Sequence, residues 1–139
     1  METLRIMAKL DNLDNVTEFV EEQLEPMDIP IKTQMQINLA VEEIFVNIAH
    51  YAYAPEDGMA EIEVELNNDP RVIITFIDNG KPFDPLENED PDITKTAEDR
   101  NIGGLGIFMV KKSMDNVTYK YENGQNILRI EKKLAGVAQ

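Results

Sequence analysis

The chain contains no cysteine, which excludes both disulfides and thiolate metal sites. Histidine occurs once, at His50, too few for a zinc site with several imidazole ligands. No apolar run approaches the length of a membrane span, and the opening METLRIMAKLDNLD has no signal-peptide core. A soluble, cytoplasmic protein without membrane attachment is the expectation. Basic residues are scarce: 13 Lys and Arg face 27 Asp and Glu, a net charge of −14. Such a field repels nucleic acid, anionic membranes and free nucleotide at long range, so no direct nucleic-acid contact is expected. Any phosphate site has to be local, made from backbone N–H groups, a few lysines and a divalent cation. The 139 residues, 42% of them apolar, suit one domain with one core over residues 1–139.

The hydrophobic pattern divides this length into short elements. Residues 2–9 read as a first strand. Leu13, Val16, Phe19, Val20 and Leu24 recur at helical spacing until Pro26 stops them. A longer helix is predicted near 31–53, opened by Pro30, with Ile37, Ala40, Ile44 and Ile48 on its apolar stripe. The period then becomes two. Ala60, Ile62, Val64 and Leu66 alternate with three glutamates, and RVIITFID at 71–78 follows the turn NNDP, which makes an antiparallel hairpin. Residues 79–102 are poor in apolar side chains and crowded with acids. A helix is expected over 104–115, then a second hairpin turning at Asn123-Gly124 and a frayed tail at 135–139. The expected fold class is α+β, a two-layer sandwich with helices on one face of a mixed, largely antiparallel sheet.

Three stretches could carry chemistry. GGLG at 103–106 opens a helix, where unpartnered N–H groups and the positive end of the dipole favour an anion. Taken alone it is equally a glycine turn, and it is neither a Walker loop nor a Rossmann fingerprint. DNG at 78–80 is an ordinary turn sequence, yet a carboxylate ending a strand can also accept hydrogen bonds from an amine. Glu43 and Asn47 stand four apart on the long helix, one position from Ile44 and Ile48, at the edge of the buried stripe. An amide oxygen there can ligate a hard cation, and a carboxylate beside it can take a proton. Both could equally be a solvated pair. His50 is read as a partly buried edge residue rather than a ligand.

Taken together and in this order, EEIFVN, DNGKPFDP and GGLGIFMVKKSMD resemble the N box and two glycine boxes of the GHKL ATPase superfamily, which includes gyrase and histidine kinases. The match is strongest to its bacterial anti-sigma-factor serine/threonine kinase branch and covers roughly residues 5–134. The resemblance implies a histidine-kinase-like ATPase fold and the cofactors ATP and Mg²⁺. It implies Glu43 as general base toward a substrate hydroxyl, Asn47 as the Mg²⁺ ligand, and Asp78 with Gly80 as the adenine site. Gly103, Gly104, Leu105 and Gly106 would lie beneath the phosphates, and residues 86–102 would form an ATP lid. The activity implied is phosphorylation of a serine on a STAS-type anti-anti-sigma protein. The other partner would be a sigma factor, held in the alternate state of a partner-switching circuit. Homodimers are common in this branch.

The sequence departs from the family pattern in three places. The position four after the Mg²⁺ asparagine, often histidine, is Tyr51. The threonine that commonly supports the adenine aspartate has Asn126 as its nearest candidate. The lid sets Glu87, Glu89, Asp90, Asp92, Glu98 and Asp99 against Lys95 and Arg100, either of which could offset γ-phosphate charge. Two other readings stand beside the kinase: an ATP-binding module that sequesters a partner without phosphoryl transfer, and a protein–protein regulator that binds no nucleotide.

Overall fold

A computed structural model of the chain describes residues 1–53, 56–86 and 104–134. The elements follow the predicted order: β1 (Glu2–Met7), α1 (Leu13–Leu24), α2 (Ile31–Asn47), β2 (Met59–Asn67), β3 (Arg71–Asp78), α3 (Gly104–Ser113), β4 (Asn116–Glu122) and β5 (Gln125–Lys133). The five strands form one sheet in the order β1-β2-β3-β5-β4, and every pairing in it is antiparallel. Two local hairpins, β2–β3 and β4–β5, meet along the non-local β3–β5 seam. The second turns at Asn123 and Gly124, whose φ values of 54° and 78° suit a tight hairpin.

The core lies between the sheet and the three helices. Ala60, Ile62 and Val64 of β2, Val72, Ile74 and Phe76 of β3, and Leu128 and Ile130 of β5 are all buried. Side chains alternate across a strand, so these even-numbered residues share one face. Opposite them lie Val16, Val20 and Leu24 of α1, Ile37, Ala40, Val41, Ile44 and Phe45 of α2, and Val110 of α3. The central helix α2 packs against α1 on one side and α3 on the other.

Some boundaries differ from the sequence reading. The first strand ends at Met7, because Ala8 and Lys9 turn the chain into a short 3₁₀ segment, Leu10–Asn12. The long helix is α-helical only to Asn47, after which Ile48–Ala52 form one π-helical turn. Leu66, grouped with the inward residues of β2, is exposed near the end of the strand, and His50 is also exposed. The tail at 135–139 and nearly all of the expected lid lie outside the described residues.

Candidate active site

Strand parity places Asp78 on the core face. It follows Val72, Ile74 and Phe76 at the last position of β3, so a carboxylate ends a row of apolar side chains and is only 5% exposed. Burial pushes its pKa above the ordinary carboxylate value, against the pull of two donors, the Asn126 side chain and the Gly80 N–H. Both act on Oδ1, each at 2.9 Å. No donor among the described residues reaches Oδ2. Asp78 lies in the wall of a pocket whose apolar lining includes Ile44, Ile48, Phe76, Phe83 and Leu128. A single carboxylate oxygen in an apolar slot is suited to receiving one N–H of a flat heterocycle.

Asn126 is the cross-strand neighbour of Asp78 at the β3–β5 seam. Its Nδ2 also donates to the Lys81 carbonyl at 2.7 Å and, more weakly, to that of Gly80 at 3.5 Å. Its Oδ1 accepts from the Phe83 N–H at 3.1 Å and from the Tyr119 hydroxyl. One amide thus binds the aspartate, the turn that follows it and strand β4. The support expected of a threonine is supplied here by an asparagine. Tyr119 and the aromatic pair below carry no motif in the sequence. The register of β4 against β5, which sets Tyr119 opposite Leu128 and two residues from Asn126, is what leads to Tyr119.

The π-helical turn fixes the other wall. A π turn spreads the backbone relative to an α turn, and the Ala52 carbonyl here accepts the Lys81 N–H at 2.9 Å. Gly80 passes so close that a Cβ would overlap the carbonyl oxygen of Ala52. Gly80→Ala is therefore expected to lower stability by about 1–3 kcal/mol through overpacking. A urea unfolding midpoint equal to that of the wild type would show that the turn yields without cost. Below this contact the Tyr53 hydroxyl donates to the Met59 carbonyl at 2.6 Å and accepts from the Asn79 N–H at 2.8 Å, which pins the turn from its other side. Tyr51, at the position where histidine is common in the resembling family, stacks on Phe83 with ring centroids 5.5 Å apart. Both rings line the pocket.

Asn47 lines the same pocket and stands one helical turn after Glu43 on α2, near enough for its amide to act on that carboxylate. Glu43 is half-buried. Desolvation first, and the neighbouring Glu42 second, raise its pKa above the ordinary glutamate value, while Asn47 pulls it back in part. The first turn of α3 lies against it: a Cβ on Gly106 would overlap the Glu43 carboxylate. Asp78, Asn47, Glu43 and Gly106 therefore form one continuous line from the pocket to the start of α3. Gly104 and Leu105 open that helix. Gly103, Lys95 and Arg100 lie outside the described residues. No group of three or more His, Asp or Glu able to hold a metal occurs among the described residues, and no helix among them is long and apolar enough to cross a membrane.

The family described as "Histidine kinase-like ATPase domain" matches residues 6–132. Among curated proteins, the serine-protein kinase RsbW of Listeria monocytogenes is 32% identical over 98 residues, 66% of this chain and 61% of the relative. The serine/threonine-protein kinase BtrW of Bordetella bronchiseptica is 26% identical over 100 residues, 71% of this chain and 70% of the relative. The chain thus aligns with less than two thirds of the Listeria kinase. Among solved structures, that of the RsbU and RsbW domains of Rv1364c from Mycobacterium tuberculosis superposes with a TM-score of 0.65 at 16% identity. That superposition covers 96% of this chain and 33% of the other; likeness at so low an identity speaks for the fold.

Proposed function

Since the chain belongs to the histidine kinase-like ATPase domain family, we propose that it is an ATP- and Mg²⁺-dependent protein serine/threonine kinase that also acts as an anti-sigma factor. Its substrate would be a serine of a STAS-type anti-anti-sigma protein, and its alternate partner a sigma factor. The observation that carries this reading is the line from Asp78 through Asn47 to Glu43 and Gly106. It is continuous, and its two ends differ in chemistry as the two ends of ATP do. The kinase names of the Listeria and Bordetella relatives support the reaction type.

The residues fit the groups that the family implies. Asp78 Oδ2 is an acceptor without a partner among the described residues, in an apolar slot suited to adenine. Asn47 offers a neutral oxygen to Mg²⁺, which ordinarily takes few protein ligands and completes its shell with phosphate oxygens and water. ATP with Mg²⁺ supplies the γ-phosphoryl group and the charge neutralisation of its transfer.

The chain's own residues do the rest. Asp78 fixes the base through Oδ2. Asn47 would hold the metal end, one helical turn from the Glu43 carboxylate. Glu43 accepts the proton of the serine hydroxyl as that oxygen bonds to phosphorus and the bond to the ADP leaving oxygen breaks. The elevated pKa of Glu43 makes it a stronger base than a solvated glutamate. Incubation of the protein with γ-labelled Mg-ATP and purified STAS-domain proteins encoded in the same genome tests the reading. Label on a serine of one of them is expected. Binding of Mg-ATP with no label on any of them would leave a nucleotide-binding module and remove the kinase.

A further inference from the structure

Helix α2 carries an apolar row that its packing leaves uncovered. Ile31, Met35 and Leu39 are 79%, 57% and 63% exposed. They stand four residues apart, so they share one ridge of the helix. The same four-residue step continues to Glu43 and then Asn47. The ridge therefore runs about 18 Å from Ile31 to Glu43, twelve residues at the helical rise, and ends at the carboxylate in the proposed line. Its buried side faces the sheet, and α1 and α3 flank it. On α3, Met109 is 56% exposed, three residues on from the Gly106 that touches Glu43. Along the α1 side, Glu18, Glu21, Glu22 and Glu25 line an acidic groove with Gln34 of α2.

We propose that this ridge is the docking surface for the protein whose hydroxyl is presented to Glu43, a partner with an apolar patch and a basic rim. The proposal rests on the kinase reading above and deepens it by naming where the substrate sits. Large exposed apolar side chains in a contiguous row mark interaction sites, and this row leads directly to the reacting group. The acidic groove beside it selects the charge of the occupant. A second copy of the chain is disfavoured on the same ground: each copy carries a net charge of −14, and self-pairing here would set acid against acid and close the approach to Glu43.

The test compares Leu39→Lys, Met35→Lys and the paired Glu21→Lys, Glu22→Lys variant with the wild type in steady-state transfer from Mg-ATP to the purified STAS-domain proteins. The KM for the protein substrate is expected to rise about tenfold or more, with kcat and Mg-ATP affinity nearly unchanged. In the paired glutamate variant, the salt dependence of KM should also flatten. Leu39→Ala and Met35→Ala, which remove contact without adding charge, keep the test open if a lysine variant is unstable. Unchanged KM in all variants overturns the docking surface alone. Dispersal of a wild-type dimer by Leu39→Lys with KM unchanged overturns it too, in favour of a self-interface. Mg-ATP binding with no transfer by the wild type overturns the kinase reading and this occupant with it.

Discussion

Glu43→Gln is expected to slow phosphoryl transfer to the protein substrate by about 10²–10⁴-fold while Mg-ATP still binds. Glutamine keeps the size of the side chain and one acceptor oxygen, so the packing against Gly106 survives. What it loses is the ability to take a proton. The pH profile separates this from a merely structural effect. Burial, and then Glu42, hold the Glu43 pKa above the ordinary glutamate range. Wild-type kcat should therefore fall on the acid side at a pH above the value of about 4.3 that a free glutamate would give. The residual rate of the variant should lack that limb. Single-turnover transfer at saturating Mg-ATP measures both. Wild-type rates in Glu43→Gln would mean that the proton leaves by another route and that Glu43 only positions its neighbours.

Asp78→Asn is expected to move affinity and stability in opposite directions. Its Oδ1 can still accept from the Gly80 N–H and the Asn126 amide, so the turn keeps its hydrogen bonds. At the other oxygen, an amide N–H meets the incoming amine with a donor against a donor. Loss of a hydrogen bond to a charged acceptor corresponds to a rise of about 10- to 100-fold in the Kd for ATP. The folded protein, by contrast, should be at least as stable as the wild type at neutral pH. Burial raises the Asp78 pKa, so ionisation costs the native state more than the unfolded chain. That cost is absent below the unfolded value of about 3.9. It sets in as pH rises above that value and is complete once the pH exceeds the raised folded value. The advantage of the variant should accordingly shrink as pH is lowered toward 4. Calorimetric titration with Mg-ATP and Tm measured against pH check the two halves separately. Equal ATP affinity in the two proteins would remove Asp78 from the base site.

Elements set by local periodicity were read well from the sequence. The four-residue recurrence in α1 and α2, the strict alternation of β2 and the Asn123-Gly124 turn each carry their own signal, and the structure has helices, strand and turn there. The boundary of α2 was read too far because IAHYA keeps helical composition while the backbone changes to a π turn, a change of hydrogen bonding that the apolar pattern does not record. Glu43, Asn47 and Asp78 flank or end apolar runs, which alone leaves a solvated pair and a plain turn open; the resemblance of the three stretches together to the family boxes is what singles them out. Asn126 was visible as a departure from a pattern, but its partners were not. Its bonds join β5 to β4 across the local hairpin, and to β3 and the turn at 80–83, which only the sheet order brings to it. The Tyr51–Phe83 stack was missed for the same reason: 32 residues of chain separate rings that only the closed fold makes neighbours.

The hydrogen bonds of Asn126 have a consequence for what the pocket can discriminate. A side-chain amide has two donor hydrogens and two acceptor lone pairs. Here the donors are engaged by Asp78 and the turn carbonyls, and the oxygen by Phe83 and Tyr119. The amide has nothing left to turn toward a ligand, and it cannot flip without breaking all of these bonds at once. The pocket is therefore locked to one polarity at the Asp78 end, an acceptor. Under the proposed reading, a purine carrying an amino group at that place is welcomed, and one carrying a keto oxygen sets two oxygens face to face. Discrimination between amino and keto purines would then depend on a strand residue that need not touch the base, and loosening Asn126 would blunt the choice of nucleotide before it abolished binding.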